Sequence, residues 1–172
     1  TTTLVSVDAA GVHGSADSKS PSISADGRLV AFDSKASNLI LWNYGDQDIL
    51  VRNVPAATTV RVLANPAGVQ GNAFSRVPAI SADGRFVAFE SDAFNLAPGD
   101  TNGLSDVFVR DTHLGTTTRV SVGPAGVQGN NVSSKPRMSA DGRFIGFMSD
   151  ASNLVPGDTN GKSDVFVRDL AT

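Results

Sequence analysis

The sequence contains the same unit three times, and this repetition restricts the folds open to the chain more than any other feature. The segment Ser-Ala-Asp-Gly-Arg occurs at 24–28, 81–85 and 139–143, which places its aspartates 57 and 58 residues apart. Each copy follows a Gly-Val-x-Gly segment and precedes an Asn-Leu segment. Units of this length bury their apolar faces by stacking on one another, so the sequence predicts a repeat architecture.

The composition favours strands joined by tight turns. Glu90 is the only glutamate among 17 acidic residues, and the chain has 17 glycines and 8 prolines. Asp, Gly and Pro belong to turns, whereas Glu is a good helix former, so helix is nearly excluded. A net charge of -3 with scattered basic residues excludes an electrostatic nucleic-acid surface, and the lack of cysteine excludes disulfides and thiolate metal sites. The sequence contains no run of 18 apolar residues, so it does not predict a membrane-spanning helix.

Each unit is predicted to contain four short strands. In the second unit the first strand ends at 78–81, and the turn 82–85 leads through Asp-Gly into an apolar strand at 86–89. The third strand covers 106–110 and the fourth covers 117–122. Four antiparallel strands at this spacing are typical of a β-propeller blade. The predicted fold is therefore all-β, a β-propeller with three four-stranded antiparallel blades in the chain.

The repeat also resembles a known family. The pattern P-x-I-S-A-D-G-R-F-V-A-F, followed by D-V-F-V-R-D, resembles the TolB-type, WD-repeat-like propeller repeat of bacteria. The longer form N-L-x-P-G-D-T-N-G-x-S-D-V-F-V-R-D resembles a subgroup found in secreted or surface proteins. The resemblance implies six blades and a secreted or periplasmic location. It also implies a binding platform for a protein or glycan, or a gate on a prolyl peptidase.

The function expected from this resemblance is a non-enzymatic binding or scaffold module. The alternatives are the regulatory propeller of a hydrolase whose catalytic domain lies elsewhere, and a structural repeat or fragment of a larger propeller. No Gly-x-Ser-x-Gly motif is present, and two histidines make a Ser-His-Asp triad improbable. We therefore expect no enzymatic activity.

The order of the strand motifs along the chain predicts how the ring closes. Residues 1–7 carry the fourth-strand motif, and the blades then cover 8–63, 64–122 and 123–172, the last without an outer strand of its own. Propellers typically have four to eight blades, so three are too few. Two interpretations stay open. One is a homodimeric ring of six blades, closed by the N-terminal strand of each partner. The other is a piece of a larger ring.

Two Asp-Thr-Asn-Gly loops are candidate calcium sites. Oxygen donors at the first, third and seventh positions, with a main-chain carbonyl at the fifth, suit a hard cation. No glutamate stands at the twelfth position, so a site needs water or a neighbouring side chain. The alternative is that the loops are Asx-turns, in which Asp and Asn bond their own backbone. The candidate ligands are Asp100, Asn102, Leu104 and Asp106 in one loop, and Asp158, Asn160, Lys162 and Asp164 in the other.

Two further groups of residues are functional candidates. Trp42 and Tyr44 occupy the corresponding loop of the first unit, and Gln70 and Gln128 lie in the Gly-Val-x-Gly loops. All four are candidate ligand-binding residues, although packing and turn formation also account for them. An arginine recurs at the end of each third strand, and an ion pair with the aspartate of the Ser-Ala-Asp-Gly turn is the expected role. These arginines are Arg52, Arg110 and Arg168.

Overall fold

The computed structural model describes residues 1–41, 47–64 and 67–171, and it consists of three antiparallel sheets. Strand order within each sheet follows the chain, so each sheet is a meander. The first sheet contains β1 (Ser18–Ile23), β2 (Leu29–Ser34), β3 (Asp48–Asn53) and β4 (Thr58–Arg61). The second contains β5 (Ser75–Ile80), β6 (Phe86–Ser91), β7 (Asp106–Asp111) and β8 (Thr116–Arg119). The third contains β9 (Ser133–Met138), β10 (Phe144–Ser149) and β11 (Asp164–Asp169).

Helix is almost absent from the described part of the chain, where the one helical element is a 3-10 turn at Pro124–Gly126. Within that part, no helix has the length and apolar character needed to cross a membrane. The scarcity of helix agrees with the strand-and-turn composition.

The Ser-Ala-Asp-Gly-Arg segment forms the hairpin between the first two strands of each sheet. In the second sheet Gly84 has a φ of +77°, the left-handed conformation expected of this position. The carboxylate of Asp83 accepts hydrogen bonds from Ser81 Oγ at 2.6 Å and from Arg85 N at 3.0 Å. The predicted hairpin is therefore confirmed, and its aspartate is held within the turn itself.

The sheets stack face to face, and the second sheet is apolar on both sides. Val87, Phe89 and Phe108 face the first sheet, whereas Val107 and Val109 face the third. All five are buried, and complete burial of side chains of this size stabilises a fold by about 1.5–3 kcal/mol each. The prediction that β6 is covered on both faces is confirmed, because Ala88 of this strand packs in the second of these cores.

The third sheet and the N-terminal segment differ from the expected closed ring. The third sheet has three strands, with β11 at its edge, and the three sheets do not close into a ring. Residues 1–6 form no strand, and Val7 makes only an isolated bridge with His13. The predicted outer strand is absent here because a strand needs the edge of another strand to pair with.

Candidate functional site

The candidate site residues lie at one end of the sheets, which we call the loop rim. It consists of the connections into each first strand and the connections between the second and third strands. The opposite end carries only the tight hairpin turns. By residue number, the described parts of the loop rim are 7–17, 35–41, 47, 62–64, 67–74, 92–105, 120–132 and 150–163.

An asparagine side chain fastens the two loops of each sheet together. Asn95 Nδ2 donates to the carbonyl of Gln70 at 2.8 Å, and Asn95 Oδ1 accepts from Asn72 N at 3.0 Å. Asn38 and Asn153 make the same pair of bonds in the first and third sheets. These directional bonds cross-link the two rim loops of each sheet.

A buried ion cluster occupies the loop from Asp100 to Asp106, the first of the two candidate calcium sites. The Arg119 guanidinium lies 3.5 Å from an Asp100 oxygen and 3.3 Å from an Asp106 oxygen. Gln128 Nε2 donates to both carboxylates, at 2.9 Å and 3.0 Å, and Ser121 Oγ donates to Asp106 at 2.6 Å. The Asp100 side chain is 2% exposed and that of Asp106 is fully buried.

Burial raises the pKa of Asp100, and the neighbouring Asp106 carboxylate adds to this rise. The hydrogen bond from Gln128 and the charge of Arg119 act in the opposite direction. Two carboxylates so close together need a positive charge between them, and Arg119 supplies it from β8. In this loop the chain thus provides its own cation.

The central asparagine of both loops forms an Asx-turn. Asn102 Oδ1 accepts from Leu104 N at 2.9 Å, and Asn160 Oδ1 accepts from Lys162 N at 2.7 Å. These are the bonds of the alternative interpretation, and they use the amide oxygen that the calcium hypothesis assigns to the metal. Asn102 Nδ2 also donates to the carbonyl of Gly129 at 2.9 Å.

In the part of the chain that the structure describes, the carboxylates of the third-sheet loop form no ion pair, although Lys162 lies in the same loop. Asn160 Nδ2 donates to Asp164 at 2.8 Å, but among the described residues no arginine or lysine forms a salt bridge with Asp158 or Asp164. Both carboxylates are partly exposed. The described residues contain no cluster of three or more His, Cys, Asp or Glu side chains suited to a metal. Of the two loops, only this one has carboxylates free of an internal guanidinium.

The other sequence candidates have different surroundings from those expected. Gln70 Nε2 donates to the buried Asp48 at 3.1 Å, so the side chains of Gln70 and Gln128 both contact carboxylates of the chain itself. Trp42 and Tyr44 lie outside the described residues. In the first sheet Arg61 lies 3.0 Å from Asp48, which corresponds to the contact of Arg119 with Asp106 in the second sheet.

For Arg52 and Arg110 the expected ion pair with an aspartate of the Ser-Ala-Asp-Gly turn is wrong. Arg110 donates to the carbonyl of Ala64 at 2.7 Å and to Thr117 Oγ1 at 3.1 Å, while Asp83 stays within its turn. Arg52 donates in the same way to the carbonyl of Val7. These arginines therefore tie the end of the preceding outer strand to the next sheet, which residue spacing alone could not indicate.

Two exposed phenylalanines were missed by the sequence reasoning. Phe74 and Phe94 are 47% and 60% exposed and lie on adjacent loops of the rim, joined by a hydrogen bond from Asp92 N to the Phe74 carbonyl at 2.9 Å. A comparison of the units position by position could have found them. The first unit has Asp17 and Ser37 at these two places, and the third has Val132 and Ser152.

Comparison with known proteins identifies the fold. No family model matches the chain, and no curated protein matches it. Among solved structures, TolB from Acinetobacter baumannii is similar over 92% of this chain and 31% of its own, with a TM-score of 0.58 and 18% identity. The β-propeller domain of the Trilobed protease from Pyrococcus furiosus is similar over 91% of this chain and 40% of its own, with a TM-score of 0.56 and 17% identity.

A structure from a study of two prolyl endopeptidases is similar over 91% of this chain, with a TM-score of 0.53 and 16% identity. The chain spans only 21% of that structure, so it covers less than half of each of the three proteins. At these identities the similarity shows the fold alone, and it agrees with the three stacked meanders. The chain therefore has a TolB-like β-propeller fold, of which it contains three blades.

Proposed function

We propose that this chain is a non-enzymatic propeller module that binds a protein or glycan through its loop rim. The observation that supports the proposal is the pair of exposed phenylalanines, Phe74 and Phe94, on loops fastened by Asn95. An aromatic side chain on a rigid backbone offers a large contact area with little loss of conformational entropy on binding.

The surroundings of this pair suit a mixed apolar and polar ligand. An open groove of about 490 Å³ lies beside Phe94, lined in part by Ala97, Pro98 and Thr101. The valine of each Gly-Val-x-Gly loop is also exposed on the same rim. These valines are Val12, Val69 and Val127. Exposed aromatic and apolar groups between polar loops are characteristic of recognition surfaces.

Selection from a phage-displayed peptide library, together with an oligosaccharide array, tests the proposal. We expect ligands that bind the parent chain and lose at least tenfold in affinity with Phe74→Ala and Phe94→Ala combined, a loss of about 1.4 kcal/mol. Leu114→Ala is the matched control, because Leu114 is an apolar residue that is even more exposed, at 69%, but lies in a hairpin turn at the opposite end of the sheets. Equal binding by all three proteins, or no selected ligand at all, contradicts the proposal.

The proposal includes a secreted or periplasmic location. It also includes blades that are completed by a second copy of the chain or by a larger propeller.

A second candidate function is the regulatory propeller of a hydrolase. It is supported by the structural similarity to propeller-containing peptidases. A hydrolase domain in the same polypeptide would favour this second candidate over the binding module.

A further inference from the structure

We propose that the open edge of the third sheet binds residues 1–7 of a second copy of this chain. The two copies then form a six-bladed ring with two such junctions. This inference concerns assembly and does not depend on a rim ligand. It follows from comparing each end of the three-sheet stack with the equivalent positions inside it.

Residues 5–7 lie against the first sheet in the same way that residues 62–64, which follow the outer strand β4, lie against the second sheet. Val5 packs on the core of the first sheet. Its counterparts in the repeat, Val62 and Val120, pack in the cores formed with the second and third sheets. Arg52 and Thr59 Oγ1 both donate to the carbonyl of Val7.

The same bonds join the first and second sheets, where Arg110 and Thr117 donate to the carbonyl of Ala64, the residue in the place of Val7. The local turn is also shared, since Val7 N bonds the Val5 carbonyl at 2.9 Å and Ala64 N bonds the Val62 carbonyl at 3.0 Å. Residues 1–4, which precede this junction and are exposed, thus lie where the outer strand of a preceding sheet belongs.

The third sheet presents the complementary surface. Val165 and Val167 of β11 are 80% and 72% exposed, whereas their counterparts Val107 and Val109 are buried against the next sheet. An open groove of about 490 Å³ runs beside β11 and is lined by Pro156, Gly157 and Asp164, among others. In the second sheet the corresponding carbonyls, of Pro98 and Gly99, accept hydrogen bonds from Arg119 beside the outer strand β8.

The opposite face of the stack fits these valines. Pro21 and Ile23 of β1 are exposed. Their counterparts Pro78 and Ile80 are buried against the preceding sheet. The apolar face of β11 and the apolar face of β1 are therefore the two halves of a contact that the chain makes twice internally. Head-to-tail contacts of this kind close when the rotation per blade completes a turn, and two copies supply the six blades of such a ring.

The junction differs chemically from the internal ones. Leu4 stands where β8 has Arg119, and His13 stands in the place of Gln128, which contacts Asp100 and Asp106 in the second sheet. In the ring, His13 of one copy would face Asp158 and Asp164 of the other, with no arginine between them. The rim cluster of the third sheet is thus incomplete without the partner, which also supplies Ser6 in the place of Ser121.

Mass measurement by light scattering and a disulfide test both address this assembly. In the second sheet Val109 pairs with Thr118, and the same register pairs Val167 with Thr3 of the partner. The chain contains no cysteine, so Thr3→Cys combined with Val167→Cys gives an unambiguous cross-link under oxidising conditions. The register control combines Leu4→Cys with Val167→Cys, because adjacent strand residues point to opposite faces.

We expect the parent chain to have twice the 17.7 kDa monomer mass. Thr3→Cys with Val167→Cys should give a covalent dimer, and the control pair should not. Val167→Asp should give a folded monomer by circular dichroism, whereas Leu114→Asp stays dimeric. A monomeric parent, a different stoichiometry, a cross-link within one chain, or equal cross-linking by both cysteine pairs overturns the proposal. Phe74→Ala and Phe94→Ala should leave the mass unchanged, which separates this test from that of rim binding.

Discussion

Glu90 of β6 accepts a 2.7 Å hydrogen bond from the main-chain N–H of Lys135. This bond fastens the second sheet to β9, the first strand of the third sheet. Lys135 has a φ of +52°, in the left-handed region that costs an ordinary residue about 1–2 kcal/mol. Asp33 makes the equivalent bond to Val77 N at 3.3 Å, and Val77 also has a positive φ. Val77 of β5 and Lys135 of β9 are thus each held by a buried carboxylate of the preceding sheet.

Replacing Glu90 should show the importance of this bond. Glu90→Met removes the acceptor of the Lys135 N–H and also the carboxylate that pairs with Arg76, so we expect the free energy of unfolding to fall by about 2 kcal/mol. Glu90→Gln keeps an acceptor oxygen and should cost less. Urea denaturation of the three proteins measures both values, and equal losses for the two variants would argue against the role of the bond.

Met148 occupies the place of Asp33 and Glu90 in the third sheet, so the proposed junction between copies lacks this carboxylate. Met148→Glu would supply an acceptor for Ser20 N of the partner, a residue with a φ of +52°. We expect the dimer dissociation constant to fall about tenfold, which corresponds to roughly 1.4 kcal/mol. Analytical ultracentrifugation measures it, with Met148→Leu as control. No tightening with Met148→Glu would count against the proposed alignment of β10 with β1 of the partner.

Ala57 and Gly115 occupy the same position of the turn that follows the third strand. Both have positive φ, +53° for Ala57 and +68° for Gly115. Ala57→Gly should raise the free energy of unfolding by about 1 kcal/mol because it relieves the steric cost of the left-handed conformation. Gly115→Ala should lower it by a similar amount. The denaturation midpoints of the two variants should move in opposite directions, and a shift of both in one direction would refute this explanation.

The Arg85–Asp111 pair should contribute to acid sensitivity. Hydrogen bonds from Arg85 lower the pKa of Asp111 to about 2, below the value near 3.9 of an unfolded chain. The unfolded state therefore binds more protons between these values. The stabilisation is complete above about pH 4 and is lost as the pH falls towards 2.

Asp111→Asn should make the decline of stability in this range shallower, as measured by thermal unfolding at several pH values. Asparagine is compatible with the turn, since Asn53 holds the corresponding place in the first sheet and accepts a bond from Ala56 N. An unchanged acid profile in this variant would show that the pair does not titrate as described.

The calcium hypothesis leads to a prediction that separates the two loops. After chelation, millimolar Ca²⁺ should raise the melting temperature, because a ligand of the folded state stabilises it by mass action. Asp158→Ala should abolish this increment. Asp100→Ala should retain it, since Arg119 already neutralises that loop. No increment in the parent chain, or one that is lost only with Asp100→Ala, would exclude binding in the third-sheet loop.

Much of the fold could be predicted because its signals are local. The spacing of Asp26, Asp83 and Asp141 gave the repeat, Asp-Gly gave the hairpins, and the apolar run 86–89 gave a strand covered on both faces. Each signal depends on residues within a few positions of one another. The Asx-turns at Asn102 and Asn160 are local in the same sense, and they were among the sequence alternatives.

The sequence by itself therefore determined the repeat, the strands and the turns of this protein. Only the tertiary structure decided what surrounds each functional side chain. Strand register brings Arg119 to Asp106, thirteen positions away in the chain, and so provides the second-sheet loop with a cation. Stacking directs Arg110 to the Ala64 carbonyl, and the rim leaves Phe74 exposed. These contacts join residues far apart in sequence, and their geometry exists only once the sheets have paired and packed.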